Sequence, residues 1–578
     1  MKIIDRTPQE TAEQVLRSSV PHPLLARLWA ARGVSEPLHN LDLLPYGQLK
    51  GAEMAGQLLA DAIDKGERIC VVADYDCDGA TSCAVALLGL KRLGADIRFH
   101  VPNRFRTGYG LSPLVVDEVV QTGGADWILT VDNGIASVDG VAHANAQGMR
   151  VLVTDHHLPG STIPQAACIV NPNQPGCTFP SKNLAGVGVM YYVLQATRDE
   201  VVRRGRFDVV SVPPPEDLLD LVALGTVADV VKLDANYRLL VARGLRRIRG
   251  GRMQPGVRAL FEVAKRNPDL AGTADFGFAL GPRINAAGRL ADMTVGIACL
   301  TSQDADEALT LAGRLDAINR ERKAVEKTMR SQAEDLLAKM PLAPKDRKSI
   351  CLFSPEWHEG VVGIVAGRLK ELHNRPTFAF ARSDDGTLRG SGRSIPGLHL
   401  RDAIDLVSKR QPGVLLKFGG HAMAAGCTLA ADGFERFAAA FEQVACELLN
   451  DDHLQHRIET DGDLPQAWFN ADVVTLLEEQ VWGQAFPAPL FSSNVEVVRQ
   501  SQLGSAHTKA TVRVLDGVAA GSYRELIAWN RTAFLPERAR IAWRLDANAW
   551  NGRVSVRAIL EAVETEDDDD EPVRLQAA

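Results

Sequence analysis

A short β-branched run, Ile69-Cys70-Val71-Val72-Ala73, passes without a break into Asp74-Tyr75-Asp76-Cys77-Asp78-Gly79. The run is apolar and preceded by charge, which predicts a buried strand. Side chains two apart on an extended chain point the same way, so Asp74, Asp76 and Asp78 would converge where the strand ends. Gly79 lets the backbone turn, and a helix is expected over residues 80–93. Carboxylates crowded at the end of a buried strand repel one another unless a cation joins them. An oxygen-only set favours a hard cation such as Mg2+ or Mn2+. The alternative is an Asx-rich turn whose carboxylates cap the following helix.

The pattern recurs. Strands are predicted at 97–101, 127–131 and 149–154, and a polar loop, Pro102 to Gly110, follows the first of them. Strand alternating with helix implies βαβ units around a mainly parallel sheet. The strand at 127–131 ends in Asp132-Asn133-Gly134 and the one at 149–154 in Asp155-His156-His157. Ligands bind open α/β sheets at this carboxyl edge. A lone Asp-His-His reads as a loop hydrogen-bond cluster, but beside two other acidic strand ends metal binding is the better reading. Leu218 to Val231 is a strongly apolar helix carrying Asp229 near its end. A carboxylate there is costly to bury unless it is paired or holds a metal.

At 578 residues the chain exceeds one ordinary core. It is 46% hydrophobic and 24% charged, as soluble globular proteins are. No run approaches a membrane span, and Met1 to Glu10 lacks a signal-peptide core. Nine scattered cysteines without a C-x-x-C pair point to a reducing cytoplasm and away from structural zinc. Net charge is −8, a weak argument against nucleic acid, but part of the excess sits in the run Glu564 to Glu571.

The expected divisions are an N-terminal extension of helices and turns (1–66), a catalytic domain (67–300), a connecting helix (301–345), a second α/β domain (346–450), an OB-like barrel (456–563) and an acidic tail (564–578). Helical periodicity over 304–340 predicts a connector about 40–50 Å long. The barrel rests on five short strand-like segments, at 495–499, 509–515, 525–529, 540–545 and 553–559. Arg283, Asn285 and Arg289 lie in a Gly-bounded stretch suited to backbone phosphates. Ser391 and Arg393 sit in an expected turn whose Gly390 and Gly392 would bare amides to an anion. On the barrel, Lys509, Arg513, Tyr523 and Trp529 are candidates for stacking and charge contacts. No P-loop, complete dinucleotide fingerprint or internal repeat is found.

Asp-x-Asp-x-Asp-Gly, Asp-Asn-Gly, Asp-His-His and Gly225-Thr-Val-Ala-Asp229, in that order, resemble the DHH phosphoesterase superfamily, and Gly419-Gly420-His421 resembles its DHHA1 companion domain. Further stretches are similar to its bacterial single-strand-specific exonuclease branch. They are Val101-Pro-Asn-Arg104 with Gly108-Tyr-Gly-Leu-Ser112, Gly281 to Arg289, His358 to Ala366 and Trp482 to Phe491. The resemblance implies a 5′→3′ exonuclease that releases mononucleotides from single-stranded DNA in repair and recombination. It implies two α/β lobes joined by a long helix, with DNA between them and an OB-like domain upstream. Two Mn2+ or Mg2+ ions would be held by Asp74, Asp76, Asp78, Asp132, His156 and Asp229, with Asp132 bridging. His157 would lie near the scissile phosphate, with Asp155 orienting a histidine. Arg104, Ser391 and Arg393 would form a 5′-phosphate pocket, and Gly420 and His421 would approach the cleaved nucleotide. The implied partners are single-stranded DNA, a single-strand-binding protein and a RecQ-type helicase, with no membrane and a monomeric state. The family's pyrophosphatase branch has a histidine ahead of the first carboxylates; here Val72 and Ala73 stand there, so Asp74 takes that role.

Two other readings compete. A phosphodiesterase for small molecules or short oligonucleotides would lack the long connector and barrel. A silent scaffold, like the relative attached to the eukaryotic replicative helicase, would have lost the metal aspartates.

Overall fold

In the computed structural model the run at 69–73 forms strand β1 (Arg68–Ala73), the second of five parallel strands. The others are β2 (Asp96–His100), β3 (Trp127–Val131), β4 (Arg150–Thr154) and β5 (Cys168–Val170), in spatial order β2-β1-β3-β4-β5. The structure describes residues 1–38, 42–103, 106–207, 212–340, 346–550 and 553–564. Every residue of β3, and all of β1 but Arg68, is buried. A parallel sheet covered on both faces reads as continuous apolar runs for this reason. Because β1, β3 and β4 are neighbours, Asp74, Asp132 and Asp155 leave the sheet side by side.

The helix after β1, α1 (Cys77–Arg92), begins three residues earlier than expected. Asp76 is its N-cap, the carboxylate accepting from Gly79 N at 3.0 Å. Asp78 therefore lies in the first helical turn, and the three aspartates do not alternate along an extended chain. One carboxylate thus caps the helix, as the Asx-turn reading expected, while the carboxylates of the stretch still gather with those of the neighbouring strand ends. Helices α2 (Gly186–Arg203) and α3 (Leu219–Ala228) pack against α1, with Asp229 as the C-cap of α3. Helix α4 (Gly281–Leu290) follows a π-helical turn at Phe276–Leu280. Helix α5 (Ala305–Ala338) runs unbroken for 34 residues. Its length is about 50 Å.

The chain forms two units by contact. One comprises Gln9–Arg320 with the returning segment Glu478–Ala488; the other comprises Met1–Pro8, Glu321–Leu477 and the chain from Pro489 on. In this second unit a mixed sheet has the order β9-β10-β8-β7-β6, from β6 (Ile350–Ser354), β7 (Thr377–Arg382), β8 (Leu388–Arg393), β9 (Leu415–Gly420) and β10 (Ala424–Leu429). Phe378, Phe380, Phe437 and Phe441 are fully buried beneath it. Strands β11 (Phe491–Leu503), β12 (His507–Val514), β13 (Tyr523–Ala528), β14 (Arg538–Trp550) and β15 (Arg553–Val563) close a barrel in the order β11-β12-β13-β15-β14. The fold class is thus the expected one.

Two local expectations are corrected. Residues 389–393 are no turn, since β8 runs through them. The chain's first residues are not helix or turn either, because Lys2–Asp5 pairs in parallel with Arg457–Thr460. Among the described residues, no helix is long and apolar enough to cross a membrane.

Candidate active site

The carboxyl ends of β1, β3 and β4 form the site, and each is tied down by backbone hydrogen bonds. Asp74 N donates to Val131 O at 3.3 Å, and Asp132 N donates to Thr154 O at 3.1 Å. Asn133 Nδ2 donates to Val72 O at 3.0 Å, joining the ends of β1 and β3. Gly79 has to be glycine, because a Cβ there would lie 2.5 Å from Asp74 O.

Asp78 is 1% exposed and anchors the start of α2, accepting from Gly186 N at 2.5 Å and Val187 N at 2.9 Å. A carboxylate suits a helix N-terminus, where backbone donors are unsatisfied. His156 Nε2 lies 3.0 Å from Asp132 Oδ1, 3.6 Å from Asp229 Oδ2 and 4.0 Å from Asp78 Oδ2. Asp155 turns inward instead. It accepts from Ile135 N at 2.8 Å, His156 N at 2.7 Å and His157 Nδ1 at 2.7 Å. Asn173 Nδ2 holds the His156 carbonyl at 2.7 Å, and Asn171 Nδ2 holds that of His157 at 3.0 Å.

The electrostatics are those of a crowded, buried anion cluster. Burial, and then the charge of Asp76, raises the Asp78 carboxyl to about 7. Burial and the charges of neighbouring aspartates raise Asp132 and Asp229 well above the carboxylate range. Burial alone would raise Asp155, but its hydrogen bond to His157, the charges of His157 and His156 and the amide of Ile135 together outweigh this and lower it. Burial works against charge on His157 too, yet Asp155 beside it raises the ring to about 9.

The donors suit a hard divalent cation. Asp74, Asp76 and Asp132 form one set, Asp78, His156 and Asp229 a second, and Asp132, His156 and His157 a third, each with ligand atoms within 4.8 Å of one another. Among the described residues, Asp132 Oδ1 and Asp229 Oδ2 are buried and accept no well-directed hydrogen bond, close though His156 Nε2 lies to both. Buried carboxylate oxygens are costly in that state unless a cation joins them. All six sequence-predicted ligands, with His157, are thus in one place.

The other predicted residues divide. Asn285 Oδ1 accepts from Cys77 N at 2.7 Å, so it faces the acidic loop. Arg283 pairs with Asp316 at 2.9 Å and donates to Ala279 O at 2.7 Å. Arg289 is half-buried at the end of α4. Arg104 lies outside the described residues. In the second unit, Ser391 and Arg393 lie together on one face of β8, with Arg393 Nη1 3.1 Å from Ser391 Oγ. Among the described residues Arg393 has no carboxylate partner, and burial lowers its pKa. Gly363, from the stretch His358 to Ala366, leaves room for both, since a Cβ there would lie 2.8 Å from Ser391 Oγ. Gly390 and Gly392 lie inside β8, which is paired on both sides, and not in a loop. They make room for rings, for Cβ atoms there would lie 2.1 Å from Phe380 and 2.4 Å from Phe378. Gly420 ends β9 at φ 141°, and His421 N donates to Ala424 O at 2.8 Å. On the barrel, Lys509 and Arg513 are paired with Glu525 and Glu496, while Tyr523 is exposed. Trp529 stands edge-on to His507 at 4.8 Å.

Tyr109 was not anticipated as a site residue. Its hydroxyl donates to Asp132 O at 3.1 Å and lies 3.1 Å from His157 Nδ1, and its ring stands edge-on to Tyr75. The signal was present in its flanking glycines, both at φ 77°, which turn the loop back onto the site.

Three family models match the chain. They are the DHH family N-terminal domain over residues 68–226, the DHHA1 domain over 346–447 and the RecJ OB domain over 460–562. The single-stranded-DNA-specific exonuclease RecJ of Salmonella typhimurium is 46% identical over 573 residues, covering 96% of this chain and 98% of the relative. The crystal structure of RecJ in complex with Mn2+ from Thermus thermophilus superposes with a TM-score of 0.81 at 30% identity, covering 98% of this chain and 79% of that one. The Mg2+ complex of the same protein gives a TM-score of 0.75 at 28% identity, covering 98% and 78%. With near-complete coverage and all three domain matches in order, the chain belongs to the RecJ family of single-stranded-DNA-specific exonucleases.

Proposed function

We propose that this chain hydrolyses single-stranded DNA from its 5′ end, releasing mononucleotides, with two Mn2+ or Mg2+ ions held by Asp74, Asp76, Asp78, Asp132, His156 and Asp229. The observation that carries it is the approach of His156 Nε2 to Asp132 and Asp229 at 3.0 and 3.6 Å, in a cluster whose carboxylates are crowded and desolvated. When bound, such ions lower the pKa of water and neutralise charge on a departing oxygen. His157, fixed by Asp155, would contact the scissile phosphate. Ser391 and the half-buried Arg393, which has no carboxylate partner among the described residues, would receive the terminal 5′-phosphate, a planar guanidinium being suited to bidentate contact. On resemblance, Arg104 is proposed to contact the 5′-phosphate, and Arg289, Gly420 and His421 to contact the DNA strand.

The domain division we propose is 1–66, 67–300, 301–345, 346–450, 456–563 and 564–578, although residues 565–578 lie outside those described. Nine unpaired cysteines support a reducing cytoplasm. On family resemblance we extend the reading to DNA repair and recombination, and to a monomer that works with a single-strand-binding protein and a RecQ-type helicase.

Two oligonucleotides, one labelled at each end, test the reaction with Mn2+, Mg2+ and EDTA. The expected result is immediate release of a labelled mononucleotide from the 5′ end only, and only with metal. Attack confined to very short oligonucleotides, or release from the 3′ end first, would contradict it.

A further inference from the structure

Asn285 lies in a stretch rich in phosphate-binding residue types, yet its side chain is turned inward. Its Oδ1 accepts from Cys77 N at 2.7 Å, across 208 positions of sequence. Cys77 is the first residue of α1, and its N–H is one of the donors a helix start leaves without an intrahelical partner. The N-cap, Asp76, serves Gly79 N, so it does not serve this donor. Cys77 is 1% exposed, which excludes bulk water as the partner. The Asn285 amide oxygen supplies what the acidic loop cannot supply itself.

The same helix touches the loop a second time. Gly288, one turn on, lies beneath the carbonyl of Tyr75, the residue between Asp74 and Asp76. A Cβ at Gly288 would sit 1.8 Å from Tyr75 O and 3.1 Å from Met293 Cε. The contact is with backbone, so relieving it would shift the loop that carries both aspartates. Helix α4 is itself held at its start by Arg283, which bonds Ala279 O in the π-helical turn and Asp316 on α5.

We infer that Asn285 is a positioning residue: with Gly288 it braces the loop 74–77 from behind, so that Asp74 and Asp76 are held in place for the cation. The inference rests on the metal-centre reading above. It separates from a role in gripping DNA, because the Oδ1 atom is already engaged with Cys77 N.

The test uses the full-length protein and Mn2+ alone, with free Mn2+ read by electron paramagnetic resonance, followed by steady-state kinetics on a single-stranded oligonucleotide. Asn285→Ala is expected to weaken Mn2+ binding and lower kcat by about 10- to 100-fold, as loss of an outer-shell partner does, with KM for the oligonucleotide little changed. Asn285→Asp retains an acceptor oxygen in the same place and should recover most of the Mn2+ binding. Gly288→Ala should weaken Mn2+ binding by a different route and serves as the test if Asn285→Ala fails to fold. Parental Mn2+ binding in Asn285→Ala and Gly288→Ala would overturn the inference, as would a raised KM with metal affinity intact, which marks a DNA contact. Failure of the parent protein to bind Mn2+ would instead overturn the metal-centre reading on which the inference stands.

Discussion

Asp132 adopts φ 62°, a conformation side-chain-bearing residues seldom take. Its amide donates to Thr154 O, its carbonyl accepts from Tyr109, and Gly186 packs against its Cβ so closely that a methyl there would lie 2.5 Å away. Strain of this kind persists only where the surroundings over-determine it, and such positions cluster at active sites. Asp220 shows the cost of burying a carboxyl away from that cluster. It is fully buried at the start of α3, accepts from Gln254 N at 2.6 Å, and burial raises it from 3.8 to about 6. Since the folded pKa lies above the unfolded one, the folded chain binds the extra proton between these values, and stability falls as pH rises through that window. Asn at this position can accept the same hydrogen bond without ionising. Asp220→Asn should therefore gain thermal stability relative to the parent between about pH 4 and pH 7, by up to roughly 3 kcal/mol. Melting curves across that range check it, and a difference independent of pH would contradict it.

At the scale of elements, β8 shows what a sequence conceals. Gly390 and Gly392 have poor strand propensity and so read as a turn, yet their bare backbone is what admits the rings of Phe380 and Phe378. Gly390→Ala should destabilise the second unit by about 1–3 kcal/mol through overpacking, measured as a lower urea midpoint; an unchanged midpoint would contradict this packing. The strands β1, β3 and β4 were legible because both faces of a parallel sheet are buried, so each is a plain apolar run whose end is marked by acid. All six proposed ligands were legible for that reason, Asp229 through its presence in an apolar helix. What failed was tertiary. The bond between Asn285 and Cys77 N, the hydroxyl of Tyr109 on Asp132 O and the pairing of Lys2–Asp5 with Arg457–Thr460 all join residues distant in sequence. No local pattern encodes them. The early start of α1 turned on whether Asp76 would cap the helix or stay extended, and propensity does not decide that.

Over the whole molecule, a net charge of −8 argues against a polyanionic ligand only if charge is averaged. Local placement matters more, and Arg393 is the clearest case, half-buried beside Ser391 with no carboxylate partner among the described residues. Arg393→Ala should raise KM for a 5′-phosphorylated oligonucleotide by about tenfold or more, a charged hydrogen bond being worth roughly 1.5–3 kcal/mol, and should change KM for a 5′-hydroxyl end much less. Equal effects on both ends would remove Arg393 from the terminal pocket. The family assignment extends over the length of the chain, whereas the proposed chemistry is concentrated where three strands of one sheet end. The most direct test of that proposal is the number of Mn2+ ions bound per chain by the parent and by Asp132→Ala, with nuclease activity read on the same samples and folding checked by circular dichroism. Two ions in the parent, fewer in a folded Asp132→Ala, and no cleavage by the variant are predicted. A folded Asp132→Ala that retains both ions, or degrades single-stranded DNA at the parental rate, would contradict the account.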